Sequence, residues 1–236
     1  MIQKRNPVGR FLLYVVLIAL AFLCVIPFYM MVINSTRSNV EISQNVWLTP
    51  GDQLIRNYEI IQETVNIWQG FMASAIITVP SVILSAFFGA MTAYGFAKFN
   101  CRYKELLFWV VLATLMIPQQ LGLIGYHDLM VRVGMIDTYA PLILPMIANA
   151  GMVFFVRSYI ESSIPDSLIE AAIMDGASEF YTFSRLVFPL AMPAVATMSI
   201  FTFVFKWNDL ITPLVLLSSE DKFPMPVVIA NIRGLY

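Results

Sequence analysis

Glu170-Ala171-Ala172-Ile173-Met174-Asp175-Gly176, followed by Leu186-Val187-Phe188-Pro189, is the stretch that decides how this chain folds. It is polar and charged, yet it lies between two apolar runs, 139–156 and 191–217, each of a length suited to crossing a bilayer. Ser162, Ser163 and Pro165 supply helix-start chemistry, because a proline in the first turn gives up a donor that would have no partner anyway. Asp166 and Glu170 fall in or near the first turns, where carboxylates complement the helix dipole. Gly176 can take a left-handed conformation and end the helix. A second helical stretch, 178–188, then leads through Pro189 and Pro193 into the next apolar run. The expected arrangement is a short helix across the membrane surface, a sharp turn, and a second helix feeding the bilayer.

The plainer reading of such a segment is an amphipathic helix resting on lipid. Interfacial helices usually carry Lys or Arg on the polar face. From 158 to 188 the acidic residues are Glu161, Asp166, Glu170, Asp175 and Glu179, and the only Arg is Arg185. An anionic leaflet repels that charge. Ala171, Ala172 and Ala177 are small enough for another surface to come close. The segment 158–190 therefore reads as a docking surface for a protein partner.

The rest of the chain supplies the membrane. Its 236 residues are 59% hydrophobic and 12% charged, with a mean hydropathy of +0.76. Soluble domains are about 25% charged, so lipid is the expected solvent. A net charge of −1 gives nucleic acid nothing to hold. The sequence has no phosphate-binding glycine pattern and no metal-type His/Cys cluster, and His127 is its single histidine. Five segments read as spans, 11–33, 71–97, 106–125, 139–156 and 191–217, in one all-α membrane domain over 1–236. Prolines 27, 80, 118, 145 and 213 fall inside them, where neighbouring helices can satisfy freed carbonyls. Ala86, Gly89, Ala90, Ala93 and Ala97 recur at helical spacing and read as a packing seam. Lys4, Arg5 and Arg10, then Lys98, Arg102 and Lys104, then Arg157 and Arg185 collect on one side. That bias puts the N-terminus and the 158–190 loop in the cytoplasm. The short, proline-broken stretch 224–230 reads as an external re-entrant or interfacial piece.

The loop also resembles the EAA loop of ABC-importer permeases. The match lies in Glu170, Ala171 and Ala172, in Gly176, and in the hydrophobics Leu186 and Phe188 before Pro189. Leu and Phe stand where the family usually has Ile and Leu. Ile164-Pro165 and Asp175-Gly176-Ala177 narrow the likeness to the sugar-importer branch of the maltose-transporter type. Ile26-Pro27-Phe28, Ala93-Tyr94-Gly95-Phe96-Ala97, Met116-Ile117-Pro118-Gln119-Gln120 and Trp207-Asn208-Asp209 are similar to segments of that branch. The resemblance implies a non-catalytic permease subunit with the type I importer fold in a bacterial inner membrane. It implies a second permease, two ATPase subunits holding ATP and Mg, and an extracytoplasmic solute-binding protein as partners, with no cofactor in this chain. It implies that Glu170, Ala171, Ala172, Asp175, Gly176 and Pro189 couple the chain to the ATPase. Such permeases have six spans, so a sixth is expected beyond Tyr236.

Polar groups also interrupt the membrane. Lys206, Trp207, Asn208 and Asp209 fall within the fifth apolar run, where a charge costs about 2.5–3.5 kcal/mol at the bilayer centre. Lys206 and Asp209 are spaced to pair on one helix face. A neutralised pair near the interface is one reading, and a lining of the translocation path is the other. In the second, Trp207 stacks on a sugar and Asn208 and Asp209 bond its hydroxyls. Gln119 and Gln120 would reach the same depth from the third span, at about 20 Å along a straight helix. An ion-coupled carrier usually buries ionisable relays in several spans, and here only one span has such a cluster. A carrier of that kind and an importer of a non-sugar solute are the competing functions.

Overall fold

The structure, a computed structural model, describes residues 7–235. Lys4, Arg5 and Tyr236, with the side chain of Arg233, lie outside the described residues. The chain gathers into two compact units, Met1–Asn66 and Ile67–Tyr236.

In the first unit, α1 (Pro7–Ser35) runs unbroken through Pro27. Apart from Ile33 near its end, its described apolar side chains stay largely exposed on all faces, the pattern of a helix whose solvent is lipid. α2 (Asn39–Gln44) opens on a capping box. The Ser38 hydroxyl accepts the Glu41 N–H, and the Glu41 carboxylate accepts the Ser38 N–H. Arg37 organises the following turn by donating to the Thr49 carbonyl and to Glu41 while its guanidinium lies 4.1 Å from the Trp47 ring centre. α3 (Leu54–Thr64) is tied back by Asn57, which donates to the carbonyls of Ser35 and Arg37.

The second unit is built around α4 (Ile67–Lys98). At 1.5 Å per residue its 32 residues extend about 48 Å, more than a bilayer's hydrocarbon core. The small-residue seam faces inward, and α8 (Ala150–Ser163) and α12 (Met192–Trp207) pack against α4. The approach is closest at Gly89, where an added Cβ would stand 2.5 Å from the Met152 side chain. Backbones meet this closely only where the side chain is missing. Asn149 ties the three helices together. Its Oδ1 accepts the Met152 N–H and caps α8, and its Nδ2 donates to Ser85 on α4 and Thr202 on α12.

Several expected spans are not single helices. The run 106–125 is split into α5 (Lys104–Met116) and α6 (Gln119–Arg132), which meet at 97°. Pro118 is the cause. It offers no N–H and drives Ile117 into an extended conformation, ψ 119°. The run 139–156 starts as α7 (Ala140–Ile143) and a 3₁₀ turn, Leu144–Ala148, before α8 carries it on to Ser163. The polar loop therefore begins at Ile164 rather than at 158. The run 191–217 is interrupted after α12 and resumes as α13 (Ile211–Leu216). The stretch 224–230 lies in a helix, α14 (Met225–Leu235). Its prolines sit at the helix start, where the Pro224 carbonyl accepts the N–H groups of Val227 and Val228. Among the described residues three helices are long and apolar enough to cross a membrane, or up to five when each bent pair counts as one span.

One clasp joins the segment after α6 to the segment after α13. Asp137 has φ +61°, and its carboxylate accepts the N–H groups of Ser218 and Ser219, the Ser219 hydroxyl at 2.6 Å and the Lys222 ammonium at 2.7 Å. The Lys222 bond, with those from Ser219 and Ser218, holds the Asp137 carboxyl well below the usual carboxylate range. The same bond raises the Lys222 ammonium above its ordinary value.

Candidate functional site

The charged loop is built by a helix, a glycine turn and a widened helix. α9 (Asp166–Met174) starts after Pro165, whose extended ψ of 144° sets the entry. Its buried anchor is Ile169, packed in the main core with Phe183 and Val187. Glu170 and Ala171 are exposed and Ala172 is half-buried. The helix ends on a left-handed Gly176, φ +82°. The Ala177 N–H reaches the Ala172 carbonyl and the Gly176 N–H reaches the Ile173 carbonyl, which closes the helix end. Any other residue at 176 would strain the backbone, although the space around it is open.

Beyond the turn, Ser178 caps α10 (Glu179–Tyr181) by accepting the Tyr181 N–H. The chain then widens to a π-helical turn, Thr182–Val187, in which the Phe188 N–H reaches back to Phe183. Pro189, in α11 (Phe188–Leu190), has no N–H to continue an ordinary ladder. The chain bends by 76° on entering α12. Ala172, Asp175 and Gly176 come together with Ala177, Ser178 and Tyr181 around an open groove of about 610 Å³. Pro189 does not line it. Leu168, Ile173, Met174, Phe180 and Tyr181 stay exposed on the same loop. A groove of small residues with one carboxylate, Asp175, beside bare apolar side chains is suited to a protein surface.

Residues that the sequence reading did not select hold this loop in place. Lys98 donates to the Ile164 carbonyl and to the Asp166 carboxylate, and Tyr94 donates to Glu179. On α8, before the loop, Arg157, 10% exposed, lies 3.7 Å from the Phe108 ring centre and pairs with Glu161 and Glu105 at 2.8 and 3.1 Å, which ties α8 to α5. Its spacing to Glu161, four residues on one helix, was the available signal. Lys98 and Tyr94 reach across 66 and 85 residues of sequence, which no local pattern reveals.

The polar interruption of the fifth span lies between α12 and α13. Lys206 and Asp209 pair at 3.5 Å with side chains 8% and 13% exposed. Trp207 is half-buried, its ring stacked on Phe203 at 5.4 Å with Phe71 at 6.2 Å. Asn208 is exposed and donates to the Val204 carbonyl, and Asp209 accepts the Thr212 N–H. Asp209 thereby takes up an N–H at the start of α13 that has no partner within its helix. Gln119 and Gln120 are exposed at the start of α6. The bend at Pro118 removes the straight-helix count that placed them at the depth of Trp207. α6 meets α13 at its far end, through Met130 against Leu216 and Leu217.

Long lipid-type helices, spans broken by proline, and a two-helix polar loop between α8 and α12 make an all-α importer permease fold. A family model described as the binding-protein-dependent transport system inner membrane component matches residues 71–236, and the chain belongs to that family. It is 31% identical to the arabinooligosaccharides transport system permease protein AraQ of Halalkalibacterium halodurans, over 99% of this chain and 85% of that one. It is 30% identical to the glucose import system permease protein GlcU of Saccharolobus solfataricus, over 99% and 84%. The sn-glycerol-3-phosphate transport system permease protein UgpE of Brucella abortus is 29% identical over 100% and 84%. The fold matches a chain in the crystal structure of a bacterial ABC transporter involved in the import of the acidic polysaccharide alginate. There the TM-score is 0.83 at 24% identity, over 98% of this chain and 82% of that chain. Membership of this family sets aside the ion-coupled carrier.

Proposed function

We propose that the chain is the permease subunit of an ATP-driven importer of carbohydrate, an oligosaccharide, in a bacterial cytoplasmic membrane with its N-terminus inside. The observation that carries this reading is the acidic loop, closed by the left-handed Gly176 and opening a groove at Ala172–Asp175–Gly176. Glu170, Ala171, Ala172, Asp175 and Gly176 meet the ATPase, and Pro189 sets where the loop turns into the membrane. The sequence has no phosphate-binding glycine pattern, and this reading assigns ATP and Mg to two ATPase partners. A second permease completes the path, and an external solute-binding protein delivers the sugar.

Trp207, Asn208 and Asp209, with Gln119 and Gln120 on the other broken span, belong to that path in this reading. Exposed amides beside breaks in apolar helices are stable where they line water. The sugar assignment draws on relatives named for arabinooligosaccharides and glucose. A relative named for sn-glycerol-3-phosphate supports a second reading, a phosphorylated polyol as cargo. The test is uptake by proteoliposomes holding the complete complex and its binding protein, against a panel of sugars and sn-glycerol-3-phosphate. Saturable, ATP-dependent uptake of a sugar is expected. Uptake of the glycerol phosphate alone selects the second reading.

A further inference from the structure

Both helices of the loop are fastened to one rod, α4. Before the Gly176 turn, Lys98 donates to the Ile164 carbonyl at 2.6 Å and to Asp166 at 2.5 Å. The Lys98 side chain is 9% exposed while that of Asp166 is 76% exposed. An ion pair with one partner in solvent adds little stability. Its geometry matters more, because Lys98 takes up a carbonyl at the end of α8 and fixes the first turn of α9 with one ammonium. After the turn, the Tyr94 hydroxyl donates to Glu179 at 3.3 Å, and the Tyr94 ring stacks on Phe183 at 5.9 Å. Tyr94 and Lys98 are one turn apart on α4 and share a face. The only left-handed residue of the loop thus lies between two attachments to the same helix. At its other end α4 meets α14, where Gly70 lies against Val228.

We infer that Lys98 and Tyr94 are positioning residues that make the Gly176 loop and α4 move as one rigid body. Displacement of the loop then reaches the far end of α4 without slack. The inference rests on the loop being the ATPase seat. The same rod then offers the path by which a docked external binding protein reaches the loop and its ATPase.

The experiment uses the complete complex in proteoliposomes, with Cys24 and Cys101 replaced by Ser. Its readout is ATP hydrolysis with and without the cognate solute-binding protein as purified from cells. Lys98→Cys with Asp166→Cys, unbridged, is expected to keep basal hydrolysis within twofold and to lose at least fivefold of the stimulation. Bridging the two thiols with a short bis-methanethiosulfonate should restore the stimulation, and reducing the bridge should abolish it again. Tyr94→Phe keeps the ring stacking and should lower stimulation about twofold. Full stimulation in the unbridged double variant, or turnover stopped by the bridge, would overturn the inference. If the double variant does not assemble, wild-type stimulation in Tyr94→Phe would overturn it. A cross-link from Ala177→Cys to the ATPase serves as control: its absence refutes the seat itself, and its presence with a failed bridge refutes only the rigid link.

Discussion

Gly176 and Asp137 are two positions where a single residue decides a local structure. Both have positive φ, and at each the sequence puts a residue that tolerates it. Gly176 was legible as a helix stop because glycine is the usual left-handed cap. Asp137 was not, since its partners Ser219 and Lys222 lie more than 80 residues away. Its carboxyl is depressed, so it stabilises the fold above the ordinary carboxylate pKa of about 3.9, and that is lost only as pH falls through the depressed value. Lys222 is raised, so its contribution is complete below the ordinary lysine value of about 10.4 and fades as pH rises through the raised one. The clasp should therefore hold from about pH 5 to 9. Hydrogen exchange at the Ser218 and Ser219 amides, corrected for intrinsic rate, is expected to be flat over that range in the wild type. In Asp137→Asn it should be at least fivefold faster. Protection that falls between pH 7 and 5 would show that the clasp does not close in this way.

Helices and their breaks differ in how plainly the sequence announces them. The seam at Ala86, Gly89, Ala90, Ala93 and Ala97 could be read directly, because small residues at helical spacing have one common use in lipid. Gly89→Val should cost about 1–3 kcal/mol by overpacking against Met152. Met152→Ala in the same chain should recover about half of the lost thermal stability, because the two sites touch. Equal melting temperatures for wild type and Gly89→Val would refute the close approach. The breaks were harder to read. Pro27 leaves α1 intact while Pro118 turns the chain by 97°, and a proline inside an apolar run announces neither outcome by itself. Pro27 is flanked by apolar residues, whereas Gln119 and Gln120 follow Pro118. At the break after α12, Asp209 is the counter-ion of a lysine that is almost fully covered. Asp209→Asn strands that charge and should cost about 3–5 kcal/mol. Adding Lys206→Met should return most of the stability. A single Asp209→Asn that melts like wild type would mean that Lys206 has another counter-ion or is neutral.

At the scale of the whole molecule, lipid-type composition and the EAA pattern were enough to give the class, and family membership bears this out. The tethers through Lys98 and Tyr94 were not legible, because they are made between helices far apart in sequence. The central claim is that the acidic loop seats an ATPase. Glu161, Asp166 and Glu179 have partners within the chain, which leaves the exposed Glu170 and Asp175, the latter at the groove, as the charges that a basic partner surface would meet. Glu170→Lys reverses charge on an exposed face, and Gly176→Val strains the turn by about 1–3 kcal/mol, so both should spare the spans. The most direct measurement is the amount of ATPase subunit that co-purifies with each variant from membranes, relative to permease inserted. The account predicts at least a fivefold fall in both variants at unchanged permease level. Wild-type ATPase recovery with both Glu170→Lys and Gly176→Val would contradict it.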